Sequence, residues 1–164
     1  MNGLSQYQKF KLATWEYLKT RGYKPSGQYN FFYVGKEFQT VVNIQAGKHP
    51  PLDYGFYNIS YARLDVKKPT NRDCRFFHLR HDSYDKKGFF SFGTTYGSIY
   101  PASLDFDTDK KLTACIKVLQ AIEPIFRVET KEELIDLYTK RLFGDEKSSW
   151  IEMIEKLTAN ASIG

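Results

Sequence analysis

An α+β domain is what this sequence predicts: an N-terminal helix, a four- to five-stranded, mostly antiparallel sheet, and two to three C-terminal helices. Three observations predict it. Apolar residues recur at helical spacing up to Leu18, alternate at a two-residue period from Tyr29, and return to helical spacing after Asp105. Eighteen of the chain's 13 Phe, 12 Tyr and 2 Trp lie between Tyr23 and Tyr100, where strands use aromatic residues best. The strand segments are joined by turns and loops without crossover helices, so neighbouring strands run antiparallel. At 164 residues the chain reads as one domain, 1–164, with 143–164 as a C-terminal helical extension.

The first helix places Leu4, Tyr7, Phe10, Lys11, Thr14, Trp15 and Leu18 at three- and four-residue steps, and is expected to bury Tyr7, Phe10, Trp15 and Leu18. Gly22 follows "LKTR" as a stop, with Lys19 and Arg21 suited to the negative end of the helix dipole. Pro25, Ser26 and Gly27 read as a turn. "YNFFYVGKEFQTVVNIQA" then reads as a hairpin about Gly35-Lys36, with glycine in the first loop position of a type II′ turn. That turn sets Tyr33 opposite Phe38, Phe31 opposite Thr40 and Tyr29 opposite Val42. One face carries Tyr29, Phe31, Tyr33, Phe38, Thr40, Val42, Ile44 and Ala46 as core, by strand alternation. The other carries Asn30, Phe32, Val34, Gln39, Val41, Asn43 and Gln45, and is half polar. Depending on register, either Asn58 and Ser60 or Tyr57 and Tyr61 join it.

"GKHPPLDYG" is a loop, since paired prolines cannot join a central strand. "FYNISYARLDV" is a third strand, "KKPTNRD" a charged connection, "CRFFHLRH" a fourth strand and "GFFSFG" a fifth. Asp107 caps a helix that buries Leu112, Cys115, Ile116 and Leu119, with Pro124 just past its end. Thr130 with Glu133 forms a capping box before Leu134 and Leu137, and Ser149 with Glu152 repeats it before Met153, Ile154 and Leu157.

The formal charge of +5 is unevenly divided: residues 1–100 hold 15 Lys/Arg against 7 Asp/Glu, and residues 101–164 hold 9 against 12. A basic half steers an acidic partner or a nucleic acid. Cys74 and Cys115 have no paired spacing, the opening "MNGLSQYQKF" lacks a signal-peptide pattern, and no apolar run approaches a membrane span. A cytoplasmic location with free thiols is expected.

The segments "WEYLKTRGYKPSGQYNFFYV", "VVNIQAGKH", "FYNISYARL", "CRFFHLR" and "KVLQAIEPIFRVETKEELIDLY" occur in the order of a bacterial family known as domain of unknown function 4304, which this chain resembles over about residues 10 to 140. The resemblance implies a bacterial, cytoplasmic α+β domain and carries no assigned activity. The tail after Phe143 lies beyond it.

The stretch "HLRHD" raises the question of catalysis. Residues three apart on a strand point to opposite faces, so His78 and His81 cannot share a metal on a regular strand. His49 sits in a proline-flanked loop, and the paired Cys/His spacing of structural zinc is absent. No nucleophile elbow, P-loop or dinucleotide fingerprint occurs. No cofactor and no metal are expected. The leading expectation is a non-catalytic protein-binding module, such as an immunity or accessory protein, with an acidic partner. Nucleic-acid binding by a basic, aromatic-rich sheet ranks second. A hydrolase or nuclease using His78, Arg80 and His81 ranks third. The candidate contacts are Asn43, Gln45, Arg63, His78, Arg80 and His81, polar positions on or near strands that cannot all share one face.

Overall fold

Helix α1, Gln6–Thr20, buries Phe10, Thr14 and Leu18 completely, a stripe with a four-residue step. Trp15 was expected among the fully buried residues. It stands at the margin of that stripe instead, partly buried, stacked on Phe31 with ring centroids 5.6 Å apart and planes 10° from parallel. Thr14 takes the central place because its hydroxyl is satisfied there, 2.6 Å from the buried Tyr57 hydroxyl. Gly22, at φ 89°, ends the helix as expected. Its N–H donates to Lys19 O and that of Tyr23 to Leu18 O, the paired bonds of a Schellman cap.

The structure, a computed structural model, describes residues 6–45, 56–73, 78–81, 92–93, 108–141 and 147–159. Its sheet is a six-stranded antiparallel meander in chain order: β1 Lys24–Ser26, β2 Asn30–Val34, β3 Phe38–Gln45, β4 Phe56–Arg63, β5 His78–His81 and β6 Phe92–Gly93. Three helices follow: α2 Thr108–Phe126, α3 Lys131–Arg141 and α4 Lys147–Thr158. The α+β class is therefore the expected one, with an extra edge strand. Pro25 and Ser26, expected in a turn, pair with Phe31 and Asn30, and the turn falls on Gly27 at φ 66°. An edge strand tolerates proline because its outer side needs no donor. Cys74–Phe77 and most of "GFFSFG" lie outside the described residues.

The hairpin register differs from expectation by two residues. Tyr33 lies opposite Thr40 and Phe31 opposite Val42, while Gly35 N–H donates to Phe38 O, leaving Lys36-Glu37 as the loop. Glycine is needed at 35 for space rather than for a positive φ. A Cβ there would stand 2.8 Å from Phe38 O and 3.4 Å from Glu129 Cα, where the α2–α3 linker crosses the hairpin. Glu37 holds that linker from both sides: its N–H donates to Glu129 O, and its carboxylate accepts from Lys131 N–H at 2.6 Å. A shift of two preserves the faces, so the expected core side is the observed one, except that Tyr29, expected in the core, falls in the turn before β2 and is exposed.

Beneath the helices that side carries Phe31, Phe38, Val42, Ile44, Tyr57, Ile59 and Tyr61 in one cluster with Leu119, Ile122, Phe126, Leu134, Ile154 and Leu157. Helix α4, which begins in the expected extension, thus contributes to the common core. Pro124 lies inside α2 rather than past its end, exposed in the last turn, two residues before the helix stops at Phe126. Ser149 likewise lies inside α4, which starts at Lys147. The other capping box is present: Glu133 N–H donates to Thr130 Oγ1, which donates to Glu133 Oε1 at 3.1 Å. Among the described residues no helix is long and apolar enough to cross a membrane.

Candidate functional site

The polar side of the sheet is ordered by register into a row. Ser26, Asn30, Asn43, Asn58, Arg80 and Gly93 follow one another across all six strands. Asn58 and Ser60, rather than Tyr57 and Tyr61, occupy this side. The amides form a ladder. Asn58 Nδ2 donates to Asn43 Oδ1 at 2.9 Å, and Asn43 Nδ2 donates to Asn30 Oδ1 at 3.0 Å.

This side is roofed by the connection after β4. Gln39 Nε2 donates to both Arg63 O and Val66 O at 2.8 Å, which bends the chain back and ends β4 at Arg63 rather than Val66. Ser26 Oγ donates to Lys68 O, and Asn71 N–H donates to Asn30 Oδ1. Thr70 and Asp73 cap the single 3-10 turn Asn71–Asp73 within that roof. Beneath it Phe32, Val41 and Ala62 make a small second core.

Among the six candidate contacts, register sets Asn43, Gln45, His78 and Arg80 on this polar side, with Arg80 opposite Asn58 and His78 opposite Ser60. Arg63 and His81 fall on the aromatic side, Arg63 opposite the core residue Phe38 and His81 one position on from Arg80 along β5. Register therefore separates His78 from His81, as strand alternation requires. Asn43 is committed to the ladder. Arg63 holds Asp65 through two bonds, Nε–Oδ1 at 3.1 Å and Nη2–Oδ2 at 3.0 Å.

A second polar constellation joins α1 to the end of α2, and nothing in the sequence points to it. The fully buried Glu123 accepts from Arg21 Nε at 2.9 Å, and Arg127 Nε stands 3.4 Å from its other oxygen. Arg127 also donates to Arg21 O and lies over the Tyr33 ring, 4.6 Å from its centre. Burial raises the Tyr23 hydroxyl well above its usual pKa, and the Glu123 carboxylate adds to the shift. Burial and then Glu123 raise Tyr17 in the same order. Residues 21 and 123 are 102 apart, beyond the reach of local patterning.

An open cavity of about 460 Å³ lies between α1 and the β1–β2 edge, lined by Gln8, Lys11, Leu12, Trp15, Pro25, Gly27 and Phe31. Its walls are chiefly apolar. Leu12 is 39% exposed, and the neighbouring Tyr29 is 48% exposed with Lys11 Nζ over its ring at 5.6 Å. Sequence reasoning missed this site. The available signal was Leu12, an apolar residue lying off the 10–14–18 stripe beside a tryptophan.

Among the described residues no three His, Cys, Asp or Glu side chains are grouped to hold a metal ion. No family model, curated protein or solved structure matches the chain.

Proposed function

We propose that this chain is a non-catalytic module that binds another protein, in the manner of a bacterial cytoplasmic immunity or accessory protein, and that its partner is acidic. The observation carrying this reading is uncompensated positive charge on the helix–hairpin half. Residues 1–45 hold six Lys/Arg and two Glu. Lys11 lines the α1–β1 cavity and Lys24 stands on β1, and neither has a carboxylate partner among the described residues. Such a surface raises the rate at which an oppositely charged protein docks. The resemblance to domain of unknown function 4304 agrees with a bacterial setting and supplies no activity.

The nucleic-acid alternative needs exposed aromatic rings for base stacking. Phe31, Phe38, Tyr57 and Tyr61 are instead covered by the helices. The hydrolase or nuclease alternative would use His78 or His81 with Arg80, and register puts His78 on the same side of β5 as Arg80 and His81 on the other.

Affinity capture from native cells, followed by reconstitution from pure components, tests the reading. The expected outcome is a stoichiometric acidic protein whose association rate falls steeply with salt while its dissociation rate changes little. Retained nucleic acid, with affinity falling linearly in log salt, would replace it with the second reading.

A further inference from the structure

We infer that the α1–β1 cavity is the docking site, and that its occupant is an acidic segment of the partner inserting one aromatic or leucine side chain; the inference rests on the binding reading above. The cavity has the dimensions of a ligand site, about 460 Å³, at the smaller end of the usual range. Trp15, half-buried and stacked on Phe31, and the exposed Pro25 offer flat apolar surface on which a further ring can pack. Leu12 stands at the edge, part-exposed, where an inserted side chain would remove it from water.

The charge around the cavity selects the flanks of that segment. Lys11 lines the cavity, and no acidic residue is among its described lining side chains. A carboxylate beside the anchoring residue meets the Lys11 ammonium group. A neutral or basic segment gains nothing there. Strand addition at this edge is disfavoured, because β1 is three residues long and holds Pro25, which has no N–H to donate. Recognition therefore runs through an inserted side chain rather than through the backbone. An anchor residue in a well-packed pocket is how compact interfaces concentrate their binding energy.

Selection of a random-peptide display library on the full chain tests this, with the selected peptides then titrated against isotope-labelled protein. The inference expects peptides that share an aromatic residue or Leu flanked by Asp or Glu. Their chemical-shift changes should centre on Gln8–Trp15 and Pro25–Phe31. Leu12→Glu and Lys11→Glu change exposed or half-exposed side chains, so both variants should keep the wild-type spectrum elsewhere. Each should weaken binding by about tenfold or more.

Peptides that bind with shifts along Asn43, Asn58 and Arg80 would overturn the site while leaving the binding reading intact. So would contacts from residues 1–5 of this chain filling the cavity in the free protein. Peptides lacking acidic flanks, or indifferent to Lys11→Glu, would overturn the charge argument and the inference with it. Failure of both this selection and the native-cell capture to yield any protein ligand would remove the binding reading as well.

Discussion

The two sides of the sheet are built from the same strands and closed in different ways. The aromatic side is covered by helices distant in sequence, and three tyrosines align them through their hydroxyls. Tyr57 meets Thr14 of α1, Tyr61 donates to Phe126 O at the end of α2, and Tyr33 donates to Glu129 Oε1 in the α2–α3 linker. The amide side is covered by the connection that leaves β4, using Gln39, Ser26 and Asn30 as polar contacts to its backbone. Apolar burial dominates the first side, and hydrogen bonds that mostly replace those to water dominate the second. The first should therefore carry more of the stability, and the second more of the register.

Truncation on the aromatic side should have the largest effect. Phe38 is fully buried and packs edge-on against Tyr61, 5.5 Å between ring centres. Phe38→Ala should lower unfolding stability by about 3–5 kcal/mol in denaturant melts. A loss under about 1 kcal/mol would contradict the placement of the core.

Next in size is the clasp between α1 and α2. Glu123→Gln keeps the shape of the side chain but removes the charge facing Arg21 and Arg127. It should cost about 1.5–3 kcal/mol in the same assay, the range for hydrogen bonds to charged groups. A further Arg21→Gln substitution should then cost less than it does alone, which a double-mutant cycle reads directly.

The amide side should respond more weakly. Asn58→Ala removes one rung of the ladder and is expected to cost about 1–2 kcal/mol. Hydrogen exchange in β3 should rise with it, because the rung helps hold the β3–β4 register. Smaller still, and opposite in sign, is Thr40→Val. Thr40 Oγ1 is buried on the aromatic side with no hydrogen-bond partner among the described residues. Replacing that hydroxyl by a methyl should raise stability by about 1 kcal/mol.

At neutral pH the last difference is silent. Burial raises Tyr61 and Tyr23 well above 10.0. Above that pH the unfolded chain has lost phenolic protons that the folded chain retains, so folding takes up protons. Stability from this source is constant below about pH 10 and falls as pH rises beyond it. Tyr61→Phe should flatten part of that alkaline fall in urea midpoints. An unchanged slope would show that Tyr61 titrates normally in the folded chain.

How far the sequence revealed this arrangement depends on the range over which each feature is encoded. Strand alternation separates Phe38, Thr40 and Val42 from Gln39, Val41 and Asn43 within a few residues, so the two faces were legible. Helix ends were legible at Gly22 and at the Thr130–Glu133 box for the same reason. The hairpin register was not, because Gly35 answers to Glu129 of a linker far along the chain. Nor was the Glu123 clasp, whose members gain meaning only once α1 and α2 pack. The amide row was half legible: its residues alternate correctly, but only pairing shows that Asn30, Asn43 and Asn58 align. The cavity was not legible because helical spacing alone places Trp15 in the core, whereas it divides itself between the core and the cavity wall.

These differences converge on one claim: among the described residues, both faces of β1–β4 are covered, and apart from Val34 at the hairpin end the exposed large apolar side chains, Leu12 and Tyr29, lie beside the α1–β1 cavity. A soluble paramagnetic probe, read by relaxation of assigned side-chain resonances in the full chain, tests it most directly. Leu12 and Tyr29 should relax strongly and Trp15 to a lesser degree, while the Asn58 side-chain amide, Tyr57 and Tyr61 should be spared. Relaxation of the Asn58 amide equal to that of Leu12 would show an open amide face and contradict the account.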